Sequence, residues 1–177
     1  MTERHPLGKF RFCPVCGSSL FEESNEKSKR CRACGFELFM NPSAAAAAFI
    51  RNAEGELLVC VRRCPPAKGT LDLPGGFCVI GESGEEGVRR EVKEETGLDV
   101  VETRYLFSCP NTYLYSGFNV RTLDLFYLCK VKDCSHVEPH DDAQAYHWLP
   151  LSEIHTEQFG MRSIRQALTV FLQGRGK

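Results

Sequence analysis

Two Cys-x-x-Cys pairs, Cys13 with Cys16 and Cys31 with Cys34, constrain the N-terminal part of this chain more than any other feature. The segment from Phe12 to Phe36 has little apolar content beyond Phe12, Val15, Leu20, Phe21 and Phe36. That is too little to hold a fold by burial alone. A two-residue spacer lets both thiolates of a pair face one ion from a tight turn, and Gly17 and Gly35, which follow the pairs, relieve that turn sterically. Two such pairs fourteen residues apart fit a tetrahedral four-thiolate Zn²⁺ site of the ribbon type. Metal binding then supplies the missing folding free energy. A redox dithiol is the alternative reading of the same pairs. The other six cysteines, Cys60, Cys64, Cys78, Cys109, Cys129 and Cys134, lack ligand spacing and read as small packing residues.

The sequence changes character after Asn41-Pro42, which divides a ribbon at residues 1–41 from a larger domain at 42–177. With 177 residues and 42% hydrophobic content, the chain has material for one ordinary core besides the ribbon. Its net charge of −1 excludes the broad positive field of a duplex-DNA binder, so nucleic acid is not an expected partner. There is no apolar run of membrane-spanning length and no apolar signal-peptide core, so the chain is expected to be cytoplasmic and away from membranes.

Short apolar runs at 44–50 and 57–61, separated by Asn52-Ala-Glu-Gly55, predict two strands around a hairpin turn. The alanine run is helix-prone by propensity, and its strand assignment rests on position. Residues 70–73 predict a strand ended by Pro74-Gly75-Gly76, a breaker that permits close backbone approach to a ligand. Further strands are expected at 100–107, 122–131 and 145–149. Ser83 and Glu86 form a capping-box pattern and Gly97 a terminator, so residues 84–96 predict a helix. Ile164, Leu168 and Phe171 predict a second over 162–172. Strands and helices that mix without strict alternation suggest an α/β fold with helices packed on a mixed sheet.

The first helix carries the candidate chemistry. Glu91, Glu94 and Glu95 stand at i, i+3 and i+4, which places three carboxylates on one stripe. Like charges so close raise one another's pKa values, and a hard divalent cation resolves the conflict through oxygen ligation. An exposed helix laced by the pairs Glu85–Arg89, Glu86–Arg90 and Arg90–Glu94 is the competing reading. That reading gives no reason for Gly76, Glu82 and Gly97 to stand where they do.

Gly76, Glu82, Arg90, Glu91, Val92, Glu94, Glu95, Gly97 and Leu98 together resemble the signature of the Nudix hydrolases. The resemblance implies a Nudix-type α/β/α sandwich with a mixed sheet, preceded here by a small zinc ribbon. It also implies a pyrophosphohydrolase that splits a nucleoside diphosphate linked to another moiety, using Mg²⁺ or Mn²⁺. Carried over by position, Glu91, Glu94 and Glu95 ligate the metal with help from the Gly76 carbonyl. Arg90 orients Glu91, and Glu82 contributes at the helix entrance. The base is assigned either to this helix or to a later loop, where Asp141 and Asp142 are the candidates against a solvated-loop reading. Family members commonly pair, which makes a homodimer the implied assembly.

A cysteine ribbon ahead of a Nudix domain is similar to the arrangement in bacterial NADH pyrophosphatases, so the implied substrate is a small nucleotide such as NADH, ADP-ribose or an ADP-sugar. Those enzymes carry Ser-Gln-Pro-Trp-Pro-Phe-Pro after the signature helix, whereas this chain reads Ser108-Cys109-Pro110-Asn111-Thr112-Tyr113-Leu114. The aromatic walls of that motif are absent. Tyr113, Tyr115 and Phe118 are the candidates to stack on a base instead, with core or loop packing as the alternative. Arg62 and Arg63 are the candidates to reach substrate phosphates, or to sit in solvent or in local pairs. The other class of function is a non-catalytic nucleotide sensor whose ribbon binds nucleic acid or a protein. Retention of every signature carboxylate favours the enzyme.

Overall fold

The computed structural model describes residues 5–137 and 143–175. The chain folds as two units, Met1–Pro42 and Ser43–Lys177. In the first, strands β1 (Phe21–Asn25), β2 (Ser28–Cys31) and β3 (Glu37–Phe39) form an antiparallel sheet in that order. Its buried cluster consists of Cys13, Phe21 and Cys31, edged by Phe36 and Leu38. Lys29 is buried in the same unit, where its ammonium donates to the Phe10 carbonyl at 2.7 Å and lies 5.0 Å from the centre of the Phe21 ring. An ammonium over an aromatic face adds a little to a cluster this small.

The second unit holds two sheets. In the four-stranded one the order is β7 (Gly75–Phe77), β4 (Ser43–Ile50), β9 (Phe118–Val131), β8 (Val100–Tyr115). It is mixed: β4 runs parallel to β9, and β7 and β8 are antiparallel to their neighbours. The other orders β10 (Ala143–Leu149), β5 (Leu57–Arg62) and β6 (Leu71–Asp72), all antiparallel.

Alternation along the central strands sorts their side chains onto two faces. Ala46, Ala48, Ile50, Tyr127 and Cys129 pack with Val88 and Val92 of helix α1 (Gly84–Thr96). Ala47, Phe49 and Phe126 pack on the other side with Ile164, Ala167 and Leu168 of helix α2 (Arg162–Val170). With a helix on each face, the unit is the expected α/β/α sandwich. The alanine run is a strand because it lies between two partners in the sheet, a tertiary constraint that outweighs helix propensity.

Three elements differ from the sequence expectations. The turn Asn52–Gly55 forms, but the strands flanking it enter different sheets and meet only at an Arg51–Leu57 bridge. Strand β8 does not end at Phe107. It passes a bulge between Tyr105 and Phe107 and continues through Pro110 to Tyr115. Pro110 is tolerated because β8 is an edge strand of its sheet, where a missing N–H leaves no ladder position empty on the open side. Gly75–Phe77, within the expected breaker, pairs with Ala45–Ala47 as a third short departure. Among the described residues no helix is long and apolar enough to cross a membrane.

Candidate active site and zinc centre

The ribbon's four thiols converge. The sulfurs of Cys13, Cys16, Cys31 and Cys34 all lie within 4.8 Å of one another. Cys13 and Cys34 are 3.7 Å apart, and Cys16 and Cys31 3.6 Å. A tetrahedron of Zn–S bonds of ~2.3 Å has edges of about 3.8 Å, so the cluster fits a zinc ion without rearrangement. Each pair closes the same turn: Gly17 N–H donates to the Cys13 carbonyl and Gly35 N–H to the Cys31 carbonyl, both at 2.9 Å. Both glycines adopt positive φ, 72° and 78°, which a side chain would strain. The thiols already differ in acidity. Burial pushes Cys31 up, but amide hydrogen bonds from Cys34 and Ala33 outweigh it and bring the thiol down to about 7. At Cys16 a backbone bond from Ser18 pulls down, yet shared thiol hydrogen bonds leave it near 12. Ten free cysteines are present, and the six outside this cluster are buried or partly buried, in keeping with packing roles.

In the larger unit, α1 starts at a complete capping box. Ser83 Oγ accepts the Glu86 amide at 3.2 Å, and the Glu86 carboxylate accepts the Ser83 amide at 2.8 Å. Gly97 ends the helix in the left-handed conformation. Of the three i, i+4 ion pairs that a merely solvated helix predicts, Glu86 is spent on the cap. Arg89 reaches the Val100 carbonyl and Thr103, and only Arg90–Glu94 forms as such.

Arg90 is instead the hub of the site. Its guanidinium donates to both oxygens of Glu82 at 2.9 and 3.0 Å, to Glu91 Oε1 at 2.9 Å, to Glu94 Oε2 at 2.8 Å and to the Phe77 carbonyl at 3.0 Å. The bidentate fork and the Val79 amide hold Glu82 below the usual carboxylate range. Glu91 moves the other way: burial raises its pKa, Arg90 opposes, and Glu94 and Glu82 add to the rise. Glu95 turns from this hub and accepts the Gly75 amide at 2.9 Å.

Gly76 shows why the breaker belongs to the site. A Cβ there would fall 2.7 Å from the Glu91 carboxylate, so hydrogen is the largest substituent that leaves the carboxylate in place. At Gly75 a Cβ would collide with the Ala46 carbonyl oxygen of the neighbouring strand. The two glycines therefore serve the site and the sheet respectively. Three carboxylates, Glu82, Glu91 and Glu94, face one guanidinium, and Glu95 stands on the same helix against the Gly75 amide, which leaves a surplus of negative charge beside the bare backbone of Gly76. Hard oxygen donors in that setting suit Mg²⁺ or Mn²⁺.

Gly75–Phe77 are also one wall of a cavity of about 440 Å³. Arg62, Tyr113 and Tyr115 line it, while Arg63 and Phe118 are not part of its lining. Arg62 is held by the Pro66 carbonyl at 2.9 Å and by Asp72 at 2.5 Å. Burial raises the Asp72 pKa, against the pull of Arg62. Asp141 and Asp142 lie outside the described residues. The sequence reading missed Asp72, Asn111, Thr122, Asp124 and Ser163, polar residues that are buried and line the same cavity. Alternation along β9, Thr122-Leu-Asp-Leu-Phe126, was the available signal: polar residues stood at positions of the inward face.

Residues 40–168 match the NUDIX domain family, and the chain belongs to it. It is 31% identical over 102 residues to the NAD-capped RNA hydrolase NudC of Stutzerimonas stutzeri (strain A1501), a stretch covering 58% of this chain and 36% of that protein. It is 43% identical over 63 residues to an ADP-ribose pyrophosphatase of Methanocaldococcus jannaschii, covering 36% of this chain and 37% of that one. The chain thus spans well under half the length of these curated relatives. A NUDIX hydrolase from Nitrosomonas europaea superposes with a TM-score of 0.73 at 23% identity, covering 93% of this chain and 92% of that one, which shows a shared fold.

Proposed function

We propose that this protein is a metal-dependent pyrophosphohydrolase that cleaves the diphosphate linkage of a nucleoside diphosphate joined to another moiety, of the NAD or ADP-ribose kind. One observation carries the reading: the Arg90-centred carboxylate cluster of α1 adjoins, across the bare backbone of Gly76, a cavity of about 440 Å³ fit for the rest of a nucleotide. The names of the relatives in Stutzerimonas stutzeri and Methanocaldococcus jannaschii support the substrate class.

In this reading Glu91, Glu94 and Glu95, with the Gly76 carbonyl, hold Mg²⁺ or Mn²⁺, and Glu82 acts through Arg90 at the helix entrance. A divalent ion at such a site neutralises the diphosphate and acidifies a bound water. Arg90 keeps the Glu91 and Glu94 carboxylates aimed at one place, so that little reorganisation is needed during reaction. A carboxylate of this helix is one candidate to take the proton of the attacking water. Asp141 and Asp142 are the other candidates for that role. Tyr113 and Tyr115 offer aromatic surface to a ring in the cavity, and Arg62, neutralised by Asp72, shapes its wall more than it attracts phosphate. Cys13, Cys16, Cys31 and Cys34 hold a structural Zn²⁺ within a ribbon domain at 1–41, with the catalytic domain at 42–177.

The test is hydrolysis of NADH, NAD, ADP-ribose, ADP-sugars and an NAD-capped RNA oligonucleotide with Mg²⁺ or Mn²⁺. Wild type is expected to release a mononucleotide from at least one, and the Glu94→Gln Glu95→Gln variant to lose about 10²-fold or more in kcat while melting no lower than wild type. Equal rates for the two proteins would refute the site assignment.

A further inference from the structure

The floor of the cavity is built for something other than phosphate. Register places Asn111 opposite Thr122, and Cys109 opposite Asp124, across β8 and β9. Thr122, Asn111 and Asp124 are only 3%, 6% and 8% exposed, and all three line the cavity. Asp124 is braced from behind, since Ser163 at the start of α2 donates its hydroxyl to Oδ2 at 2.5 Å. The Thr122 hydroxyl has no hydrogen-bond partner among the described residues. Buried polar groups are normally paired, so an orphan on the lining of a cavity marks a position that a ligand atom satisfies. Of the charged side chains in the lining among the described residues, Arg62 and Asp72 pair with each other, which leaves the Asp124 carboxylate to set the sign of the floor. A negative floor repels phosphate and accepts hydrogen bonds from N–H groups. One register step outward Tyr113 stands opposite Val120, and both belong to the wall, where a planar ring can lie against an aromatic face.

We propose that this floor is a specificity pocket for the ring end of the substrate. Asp124 accepts an N–H₂ group carried by a planar heterocycle, and Asn111 and Thr122 engage the adjoining edge of the same ring. The proposal rests on the diphosphate-cleaving reading only in that the remainder of the ligand then passes Gly76 toward α1. Two rings of an NAD-like dinucleotide offer the required donor, adenine through its amino group and nicotinamide through its carboxamide. Replacing the donor by oxygen, as in hypoxanthine or nicotinic acid, would set an acceptor or a negative charge against the carboxylate.

Calorimetric titration of the full chain with AMP, IMP, nicotinamide mononucleotide and nicotinic acid mononucleotide separates the two sources. In one of the two pairs, the N–H₂-bearing ligand is expected to bind at least about tenfold more tightly than its oxygen counterpart. The pair that discriminates identifies the ring. Asp124→Asn, which can still accept from Ser163 and can also donate, is expected to shrink that preference to about threefold or less. Thr122→Val, which removes a hydroxyl with no partner to lose, is expected to weaken the preferred ligand about three- to tenfold without lowering Tm. Equal affinities within both pairs, failure of all four to bind, or a preference unmoved in Asp124→Asn would overturn the pocket. Hydrolysis of NAD by the same wild-type preparation is read separately. Cleavage without discrimination removes the pocket and leaves the proposed activity, and discrimination without cleavage of NAD or of any other member of the substrate panel does the reverse.

Discussion

The two units of this chain use acidic ligands in opposite ways. Met1–Pro42 buries a cluster of three residues, two of them cysteines of the thiol cluster, so its candidate ligands are its core. Ser43–Lys177 buries two apolar clusters on opposite faces of a sheet and carries its carboxylates at the edge of that framework. In the first, on the proposed reading, a metal would make the fold. In the second the fold, through Arg90 and the two glycines of β7, sets the carboxylates in place beside bare backbone, where the proposed metal would sit.

The contrast predicts its largest effect at the ribbon. Cys31→Ser, or zinc chelation, is expected to collapse the NMR dispersion of residues 13–36, because structural zinc supplies apparent binding free energies of about 10–16 kcal/mol. Signals of 84–96 should stay dispersed. A ribbon that kept its dispersion after metal removal would break the comparison on its first side.

The neighbouring glycines give the next largest effect and divide it by mechanism. Gly75→Ala sets a Cβ against the backbone of β4 at a φ of 150° and is expected to cost about 2–4 kcal/mol in a denaturant titration. Gly76→Ala meets first the movable end of Glu91 and is expected to change stability by less than about 1 kcal/mol. Its cost falls on kcat, by about tenfold or more, through the displaced carboxylate. If both variants lost stability equally, the division between a sheet glycine and a site glycine would be wrong.

Smaller effects sharpen the account of α1. Ser83→Ala removes half of the capping box and should lower stability by about 1 kcal/mol, read from the denaturation midpoint. Glu86 is held below its usual 4.5, first by the Ser83 amide and then by the Ser83 hydroxyl. Because the folded pKa is the lower one, the stabilisation is present above about pH 4.5 and is lost as pH falls through the folded value. Glu86→Gln should therefore lower Tm slightly at neutral pH and leave it unchanged in strong acid, which flattens the acid limb of the Tm-against-pH curve. An unchanged acid limb would show that the cap contributes nothing electrostatic.

The helix of residues 84–96 was legible to the residue because its determinants are local: a capping box, a terminator and an acidic stripe at helical spacing. The thiol cluster was legible for the same reason, since both turns close within five residues. Strand β8 was not, because the sequence around Pro110 reads as a break until an edge position makes the missing N–H harmless. Arg62 read as either a phosphate contact or a residue in solvent or a local pair, and only the fold put Asp72 against it.

What the sequence by itself determined was therefore the family, the cysteines that converge and the helix that presents the carboxylates, all of which follow from spacing along a few turns of chain. Alternation along β9 marked Thr122 and Asp124 as inward polar residues, but how the floor of the cavity is assembled was decided by tertiary structure. Asn111, Thr122, Asp124 and Ser163 come from two strands and a helix, and what joins them is sheet register and the packing of α2, neither of which leaves a mark in local sequence.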